Sequence, residues 1–285
     1  MKYSIIIPTF NNLNFSFQCI QSVLLYTKNF ELILVDNGST DGSINYFSSL
    51  EKSHDNIHLI ALPENLGYGP ACNKGFEIST GDYIVFLNND AIVTPDWADQ
   101  LISAIPLCEK EFDVSPIAFV GPRTNNAGGN QAIETDPYSI DQLPEASILH
   151  HKEYIGKTQL AGFLSGFCLL CDRKALEKIG LFDERFKVGG FEDNDLILRA
   201  QLAGYKCCID DSTFVHHFGQ QTLKTFKDTY DFTLRSNQLK FIEKYYSDSP
   251  KKLVGLFRVH NQPELLKKSG SSMNASKSAV SRIMT

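Results

Sequence analysis

The sequence predicts an α/β protein whose mixed, mostly parallel sheet is flanked by helices. Short apolar runs rich in β-branched residues alternate with longer segments whose apolar residues recur at helical spacing. Several of the apolar runs end abruptly in polar residues, as buried strands do where they open into a ligand crevice. At 285 residues, 42% of them hydrophobic, the chain is long enough for one large domain with a sizeable core.

The first half of the chain alternates between strands and helices. Buried strands are predicted at 4–7, 31–35, 57–62, 83–87 and 117–121, and helices at 13–25, 43–50, 71–76 and 97–105. Successive strand–helix units predict parallel strands joined by right-handed crossovers. The loop around Gly67 and Gly69 permits backbone close to a ligand, although a plain loop is the better interpretation of a Gly-x-Gly alone.

The second half is less regular. Its prolines and polar residues predict a long surface loop over 131–160, placed over an acceptor site. An apolar stretch at 162–171 precedes a helix that reaches Ile179, and an acidic segment at 192–195 begins another helix. The aromatic spacing over 226–246 predicts an amphipathic helix, after which the composition becomes basic and rich in serine.

Composition excludes several classes of protein. A net charge of −6 argues against a nucleic-acid binder, because no excess of positive charge is available to offset phosphates. No run approaches the roughly 18 apolar residues of a membrane span, so we expect a cytoplasmic protein. The seven cysteines lack a disulfide-framework spacing. Cys168 and Cys171, with Cys207 and Cys208 downstream, could indicate zinc, but buried thiols are the better interpretation.

The strand at 83–87 is followed at once by Asn88, Asn89 and Asp90. At the carboxyl end of a buried strand, these side chains would lie at the mouth of a ligand site. A carboxylate with neighbouring amide oxygens can hold a hard cation and leave coordination positions for phosphate. The alternative is a simple turn, because Asn and Asp favour turns through their own side-chain hydrogen bonds.

Two further groups of residues carry possible chemistry. Glu192, Asp193 and Asp195 lie at a predicted helix start, where acids favour the helix dipole and need have no other role. A carboxylate there could equally take the proton from a hydroxyl nucleophile. His216 and His217 follow a short strand, and either histidine could supply a nitrogen ligand to a metal.

These motifs form a series along the chain that resembles family 2 glycosyltransferases of the GT-A fold, from about residue 1 to about residue 225. The series comprises Ile5-Ile6-Ile7-Pro8-Thr9, Val35-Asp36-Asn37-Gly38-Ser39-Thr40-Asp41-Gly42, Asn65-Leu66-Gly67, Asn88-Asn89-Asp90, Phe191-Glu192-Asp193-Asn194-Asp195-Leu196 and His217-Phe218-Gly219. The resemblance implies a Rossmann-like, GT-A-type sheet. It also implies inverting transfer of a sugar from a nucleotide-diphosphate donor to a hydroxyl, with a divalent cation, Mn²⁺ or Mg²⁺.

The resemblance also implies roles for individual residues. Nucleotide-sugar contacts are expected from Pro8, Thr9, Asn11, Asp36, Asn65, Asn73, Asn88, Asn89, Ser165 and Gly166. Asp90 matches the last acid of the family's Asp-x-Asp motif and is expected on the metal with His217, for which His216 is the alternative. Asp193 is the expected base, with Glu192 and Asp195 as nearby substitutes. Asn88 stands where the motif usually begins with aspartate, which removes one negative charge from the metal site.

The expected organisation is a catalytic domain at 1–225, with a donor half at about 1–120 and an acceptor half at about 121–225. A C-terminal amphipathic helix at 226–248 and a basic, serine-rich tail or linker at 249–285 follow. The donor is expected to be a UDP or dTDP sugar, and the acceptor a glycan, a lipid-linked molecule or a protein in bacterial surface glycan or glycoprotein assembly. The tail is a solvated segment or a reversible contact with the anionic inner face of the membrane.

Two other functions are compatible with part of this pattern. A nucleotidyltransferase would need a basic phosphate-binding loop after the first strand, and residues 8–12 contain no lysine or arginine. A catalytically weak sugar-nucleotide-binding or scaffold domain is suggested by Asn88, but the presence of Asp90, Asp193 and His217 argues against it.

Overall fold

The structure is a computed structural model that describes residues 2–135, 138–219 and 227–246, with side chains in the last segment described for 232–245. The strands are β1 (Tyr3–Thr9), β2 (Phe30–Asp36), β3 (Ile57–Ala61), β4 (Tyr83–Leu87), β5 (Ala91–Ile92), β6 (Ile117–Arg123), β7 (Thr158–Ala161), β8 (Cys168–Asp172), β9 (Lys206–Phe214) and β10 (His216–His217). The helices are α1 (Leu13–Tyr26), α2 (Ser43–Ser53), α3 (Tyr68–Ile78), α4 (Trp97–Phe112), α5 (Leu143–Tyr154), α6 (Arg173–Ile179), α7 (Glu192–Leu202) and α8 (Lys227–Tyr246).

Within these residues, eight strands form one sheet in the order β3-β2-β1-β4-β8-β6-β9-β7. Neighbouring strands run parallel in the pairs β1–β2, β1–β4, β2–β3 and β6–β9. They run antiparallel in β4–β8, β6–β8 and β7–β9. The predicted mixed, mostly parallel sheet with flanking helices is therefore confirmed.

The central strands are buried on both faces, as their uninterrupted apolar runs predict. Ile5 and Ile7 of β1 pack into one core cluster, which includes Trp97 of α4. Ile6 points to the opposite face and packs with Phe86 in a second cluster. Because apolar side chains point to both faces of the sheet, helices pack on both faces and the ends of the strands are left uncovered.

A small antiparallel ribbon positions the end of the domain beside the centre of the sheet. In this ribbon His216 pairs with Ile92, and His217 pairs with Ala91. The backbone N–H of Phe218 also donates to the Asp90 carbonyl at 3.0 Å. A residue far along the chain is therefore held next to the polar end of β4.

Two predictions about secondary structure were wrong. The segment 131–160 is not a long loop, because it contains α5 and most of β7. Pro144, which suggested a loop, lies in the first turn of α5, where proline is tolerated. The helix from Trp97 continues to Phe112 rather than stopping before Pro106. Its buried residues Leu101, Ala104 and Cys108 stay at helical spacing past the proline, so burial offsets the cost of the missing hydrogen bond.

Other predictions are settled by burial. All seven cysteines are free and buried, which confirms core thiols, and the described residues contain no group of three or more His, Cys, Asp or Glu side chains placed to hold a metal. Phe17, expected on the buried face of α1, is 48% exposed, while Ile20 and Val23 are buried.

No helix in the described segments is long and apolar enough to cross a membrane. The predicted tail at 249–285 lies outside the described residues.

Candidate active site

A cavity of about 310 Å³ opens at the carboxyl ends of β1 and β4. The lining comes from distant parts of the chain, among them the loops after these two strands, the loop at 165–167, the segment that leads into α7, and the region around β10. The sequence-predicted residues that line it are Pro8, Thr9, Asn65, Asn88, Asn89, Asp90, Ser165, Gly166, Glu192, Asp193 and His217. Two larger cavities in the described part of the chain contain no predicted site residue.

Asp90 and His217 meet inside this cavity, although 127 positions separate them in the sequence. The Nε2 atom of His217 lies 3.1 Å from Oδ1 of Asp90, and both side chains are at least 92% buried. The Nδ2 atom of Asn88 lies 3.4 Å from the same ring nitrogen. The paired β5–β10 ribbon creates this arrangement, because it places His217 opposite the residue after Asp90.

The orientation of the His217 ring is fixed by its other nitrogen. Nδ1 lies 2.7 Å from the Asn126 carbonyl oxygen, which can only accept a hydrogen bond, so Nδ1 carries the proton. The Phe167 ring stacks on the imidazole with 4.8 Å between centroids. In the neutral ring Nε2 is then the acceptor nitrogen, and it faces Oδ1 of Asp90.

This donor set suits a divalent cation, because an imidazole nitrogen with a backbone-bonded Nδ1–H and a carboxylate oxygen are common metal ligands. Two protein ligands alone do not complete the coordination of Mn²⁺ or Mg²⁺. The remaining positions would be open to oxygen atoms of a ligand or water, which is how Mg²⁺ usually binds with phosphates. The residues present thus fit a cation that is shared with a phosphate-bearing ligand.

Asn88 and Asn89 have different roles at the end of β4. The Asn88 side chain faces the Asp90–His217 pair. The Nδ2 atom of Asn89 donates to Ser16 Oγ at 2.9 Å, so that amide fixes the β4 end to α1 while lining the cavity. The neutral Asn88 leaves Asp90 as the only carboxylate among these three residues.

Asp36 lies beside the cavity, at the end of β2, where its backbone pairs with Thr9. The residue is 3% exposed. Its Oδ2 accepts a hydrogen bond from the Ser39 N–H at 3.1 Å, but Oδ1 is buried and has no partner among the described atoms. A buried carboxylate oxygen without a donor is costly, so this atom is ready to accept a hydrogen bond from a ligand.

The loops around Asp36 are held by amide side chains. The N–H of Thr40 donates to Asn11 Oδ1 at 2.8 Å, so the Asn11 side chain supports the loop and does not line the cavity. Asn37 bonds Leu66 and Gly67 on the neighbouring loop through both ends of its amide. Asn65, which does line the cavity, accepts a hydrogen bond from the Gly67 N–H.

The acid pair, Glu192 and Asp193, lies at the first turn of α7 and also lines the cavity. Asp193 Oδ2 accepts a hydrogen bond from the Gly166 N–H at 3.1 Å, and its Oδ1 accepts one from the Asn194 N–H at 2.8 Å. Burial raises the pKa of Asp193 above its ordinary value. Burial first, and then the charge of Asp193, raise the pKa of Glu192 to about 8. Oε2 of Glu192 is buried with no partner in the described structure.

Three further predicted residues, Asp195, His216 and Asn73, also lie outside the cavity lining. Asp195 is fully buried and its carboxylate is occupied by Arg199, Lys244 and Tyr245, so it is not available as a substitute base. The Nδ1 atom of His216 lies 2.8 Å from the Tyr138 hydroxyl, outside the cavity.

Asn73, from which a nucleotide contact is expected, also lies outside the cavity. Its amide forms hydrogen bonds with the Phe182 carbonyl at 2.9 Å and the Phe182 N–H at 3.0 Å. It therefore fixes the segment after α6 to α3.

The structure adds residues that the sequence analysis did not single out. Tyr68 donates its hydroxyl to the Gly166 carbonyl at 2.8 Å, so the Gly166 peptide is held between Tyr68 and Asp193. Asn126 and Phe167 orient His217, and Asn125 bonds its backbone at both N–H and C=O. The Asn-rich run at 125–126 was visible in the sequence, but nothing local indicated which residue it would contact.

A family model described as Glycosyl transferase family 2 matches residues 4–180, more than half of the chain. Among curated relatives, Glycosyltransferase AglE of Haloferax volcanii is 26% identical over 231 residues, which cover 79% of this chain and 70% of that protein. Glycosyltransferase GlyA of Streptococcus pneumoniae is 30% identical over 208 residues, 72% of this chain but 29% of that protein. The O-antigen biosynthesis protein RfbC of Myxococcus xanthus is 28% identical over 76% of this chain and 17% of its own length.

Solved structures share the fold. S. aureus TarS 1–349 superposes with a TM-score of 0.55 at 17% identity, covering 85% of this chain and 66% of that one. GalNAc-T7, crystallised with UDP, GalNAc and Mn²⁺, gives a TM-score of 0.58 at 14% identity over 76% of this chain and 44% of that one. The sheet and its flanking helices are therefore those of GT-A glycosyltransferases. With the family match over residues 4–180, the chain belongs to glycosyl transferase family 2.

Proposed function

We propose that the protein transfers a sugar, with inversion, from a UDP or dTDP sugar to an acceptor hydroxyl, with the help of Mn²⁺ or Mg²⁺. The proposal rests on the residues that line one cavity. A partly buried carboxylate with a raised pKa, Asp193, and the Asp90–His217 pair line the same space. Inverting transfer needs these two functions, a base for the acceptor and charge neutralisation for the leaving diphosphate.

Asp193 acts in the proposal as the general base that takes the proton of the acceptor hydroxyl. Its two backbone hydrogen bonds, from Gly166 and Asn194, fix the direction of the carboxylate. Burial raises its pKa toward neutrality, which makes the ionised form a stronger base. Glu192, with its pKa raised to about 8, stays largely protonated at pH 7, so Asp193 is not opposed by a second full negative charge.

Asp90 and His217 would hold the divalent cation, which supplies positive charge to the departing diphosphate. No lysine or arginine is among the described residues that line the cavity. The protein itself therefore offers little positive charge for the two phosphates at this point. This lining also disfavours the nucleotidyltransferase alternative, which would use basic side chains there.

Asp36 is proposed to bind the nucleobase. Its unpartnered Oδ1 is suited to an N–H donor, and the imide N–H of uracil or thymine is such a donor. Pro8 and Thr9 line the adjoining part of the cavity and would contact the nucleoside. Ser165 and Gly166 also line the cavity, and Gly166 bonds Asp193, so the donor sugar is proposed to lie beside them.

The acceptor is proposed to be a glycan, a lipid-linked molecule or a protein in bacterial surface glycan or glycoprotein assembly. Support comes from relatives named for O-antigen biosynthesis in Myxococcus xanthus and for poly(ribitol-phosphate) glucosylation in Bacillus spizizenii, the latter 34% identical over 32% of this chain. We place the enzyme in the cytoplasm, with residues 249–285 as a basic segment able to contact the inner face of the membrane.

One observation favours a second candidate, a weak sugar-nucleotide-binding or scaffold domain. Asn88 replaces a carboxylate beside the Asp90–His217 pair and so lowers the negative charge available to a cation. The intact acid pair at α7 favours the enzyme.

Calorimetry with UDP, dTDP, GDP and CDP, each in Mn²⁺ and then in chelator, tests the proposal directly. We expect UDP or dTDP to bind with a clear dependence on Mn²⁺, and the corresponding sugars to be turned over in a donor screen. Binding of none of the four nucleotides by folded protein would contradict the enzyme proposal. Binding without turnover of any donor would favour the scaffold function.

A further inference from the structure

The segment before the acid pair has an unusual backbone. We call residues 187–191 the Gly-rich loop. Val188, Gly189, Gly190 and Phe191 all have positive φ, at 69°, 151°, 95° and 74°. A β-branched residue such as valine rarely adopts this conformation, and a run of four requires support from the surrounding structure. The loop leads into α7 and therefore sets the position of Glu192 and Asp193.

The support comes largely from one side chain of the C-terminal helix. Asn237 of α8 is fully buried. Its Nδ2 lies 3.0 Å from the Lys187 carbonyl, 3.3 Å from the Gly189 carbonyl and 3.0 Å from the Gly190 carbonyl. An amide group has two N–H donors, so one of them is shared between two carbonyls. The carbonyl groups of three residues of the Gly-rich loop therefore converge on the Asn237 amide nitrogen.

Neighbouring contacts limit how the loop can shift. A Cβ on Gly190 would lie 2.7 Å from Leu234 Cδ1, so the loop touches α8 directly at this glycine. On the other side, a Cβ on Gly67 would lie 2.7 Å from the Val188 backbone nitrogen. Lys240 of α8 also donates to the carbonyl of Arg185 and to Asn237 Oδ1. The loop is thus packed between α8 and the start of α3.

The same loop forms part of the cavity wall. Val188, Gly189 and Gly190 line the cavity together with Glu192 and Asp193. The Gly190 backbone also forms a hydrogen bond with Glu192 that partly offsets the rise in its pKa. Any change in the Gly-rich loop would therefore move both the cavity wall and the acid pair.

We propose that Asn237 is a positioning residue of the active site, which holds the Gly-rich loop in its left-handed conformation and so places Asp193 for proton transfer. The proposal rests on the function proposed above. It assigns a catalytic contribution to α8, which lies beyond the residues 4–180 matched by the family model. Asn237 does not line the cavity and acts only through the loop.

Asn237→Asp is the primary variant, because it keeps the shape of the side chain and removes both N–H donors. Trypsin provides a readout that needs no donor or acceptor, since it cleaves after Lys187, whose carbonyl Asn237 holds. Cleavage of the native protein at Lys187–Val188, followed by mass spectrometry, reports how often the loop opens. We expect cleavage to be at least about tenfold faster in Asn237→Asp than in wild type.

Two variants on the same helix serve as controls. Leu239→Ala changes a side chain that is 66% exposed. Lys244→Met removes hydrogen bonds from Asp183 and Asp195 near the end of α8 without touching the loop. Lys244→Met should lower the thermal midpoint, yet cleavage at Lys187 should stay within about twofold of wild type in both controls. If Asn237 merely anchors the helix, Lys244→Met will accelerate cleavage as much as Asn237→Asp does.

Kinetics then separate positioning from binding. For the donor that wild type turns over, we expect kcat to fall roughly 10- to 100-fold in Asn237→Asp, because a misplacement of about 1 Å can cost that much. The dissociation constant for UDP should change less than about twofold, because the nucleobase contact proposed for Asp36 does not involve a residue of the Gly-rich loop. Should Asn237→Asp fail to fold, Asn237→Ala removes the same N–H donors without adding a buried charge and should also accelerate cleavage.

Unchanged cleavage in Asn237→Asp, or equal acceleration in all three α8 variants, would overturn the positioning role. So would an unchanged kcat in an Asn237→Asp protein whose loop is cleaved faster. If wild type turns over no donor, the proposed enzyme function fails, and the cleavage rates alone decide whether Asn237 holds the loop.

Discussion

Replacing Asp193 by asparagine tests the assignment of the general base. The change keeps the size of the side chain but removes its ability to take a proton. Positioned general bases contribute about 10²- to 10⁴-fold to rates, so kcat should fall at least ~100-fold, equivalent to ~2.7 kcal/mol of transition-state stabilisation. The dissociation constant for the nucleotide should stay within about twofold, because the carboxylate contacts the protein through Gly166 and Asn194 rather than the nucleoside end.

The expected effect on stability is much smaller. Asparagine has one side-chain oxygen, so it can accept only one of the two backbone hydrogen bonds that Asp193 accepts. One lost hydrogen bond costs about 0.5–1.5 kcal/mol. Removing the charge beside Glu192 offsets part of that cost, because the Asp193 charge is one cause of the raised Glu192 pKa. The thermal midpoint should therefore fall by only a few degrees, roughly 2–4 °C per kcal/mol for a domain of this size.

The assay measures release of nucleotide from the donor, with and without acceptor, alongside calorimetry and thermal unfolding. Glu177→Gln is the matched control, since it converts a half-exposed carboxylate on α6 into an amide away from the cavity. Turnover in Asp193→Asn equal to that of the control would refute the base assignment. A large loss of nucleotide affinity would also refute it, because Asp193 would then act in donor binding.

Further predictions concern the cation, the nucleobase and pH. Asp90→Asn and His217→Ala should each abolish the difference in UDP affinity between Mn²⁺ and chelator; a persisting difference in calorimetry would place the cation elsewhere. Asp36→Ala should weaken UDP binding about 10-fold or more, the value of a hydrogen bond to a charged group, whereas unchanged affinity would remove it from the nucleobase site. The pKa of Glu192 is ordinarily 4.5 and is about 8 in the folded protein. Between these two pH values the folded protein binds a proton that the unfolded chain does not. Glu192 therefore lowers the stability of the folded protein as pH rises through that window. Glu192→Gln should therefore lose less thermal stability than wild type between pH 5 and pH 9, and parallel pH profiles of the two melting curves would disprove the raised pKa.

Much of the fold could be predicted because the deciding signals are local. The run 83–87 is buried on nearly its whole length, as a continuous apolar strand requires, and its bounds match β4. Prolines were less reliable predictors of loops and helix ends, since the effect of a proline depends on its position in the helix. Pro144 lies in the first turn of a helix, where its missing N–H is tolerated, whereas Pro106 lies inside a helix whose buried face continues past it.

The types of residue in the candidate site could be predicted from the sequence, but their contacts could be predicted only in part. Asp90, Asp193 and His217 line one cavity, as the motif series implied. Asn73 and Asp195 looked equally suitable, yet one bonds Phe182 and the other bonds Lys244 and Tyr245 of a helix that begins 32 residues later in the chain. A polar residue near a motif has many possible partners, and the sequence does not say which one it meets.

The sequence by itself determined the alternation of strands and helices, the strand ends at which polar residues collect, and the absence of excess positive charge. These follow from the burial pattern within each segment and from composition. Only the tertiary structure decided that His217 faces Asp90, that Asp195 is an internal ion pair, and that Asn237 holds the Gly-rich loop. Such contacts depend on strand register and helix packing between distant segments, which no local pattern of residues specifies.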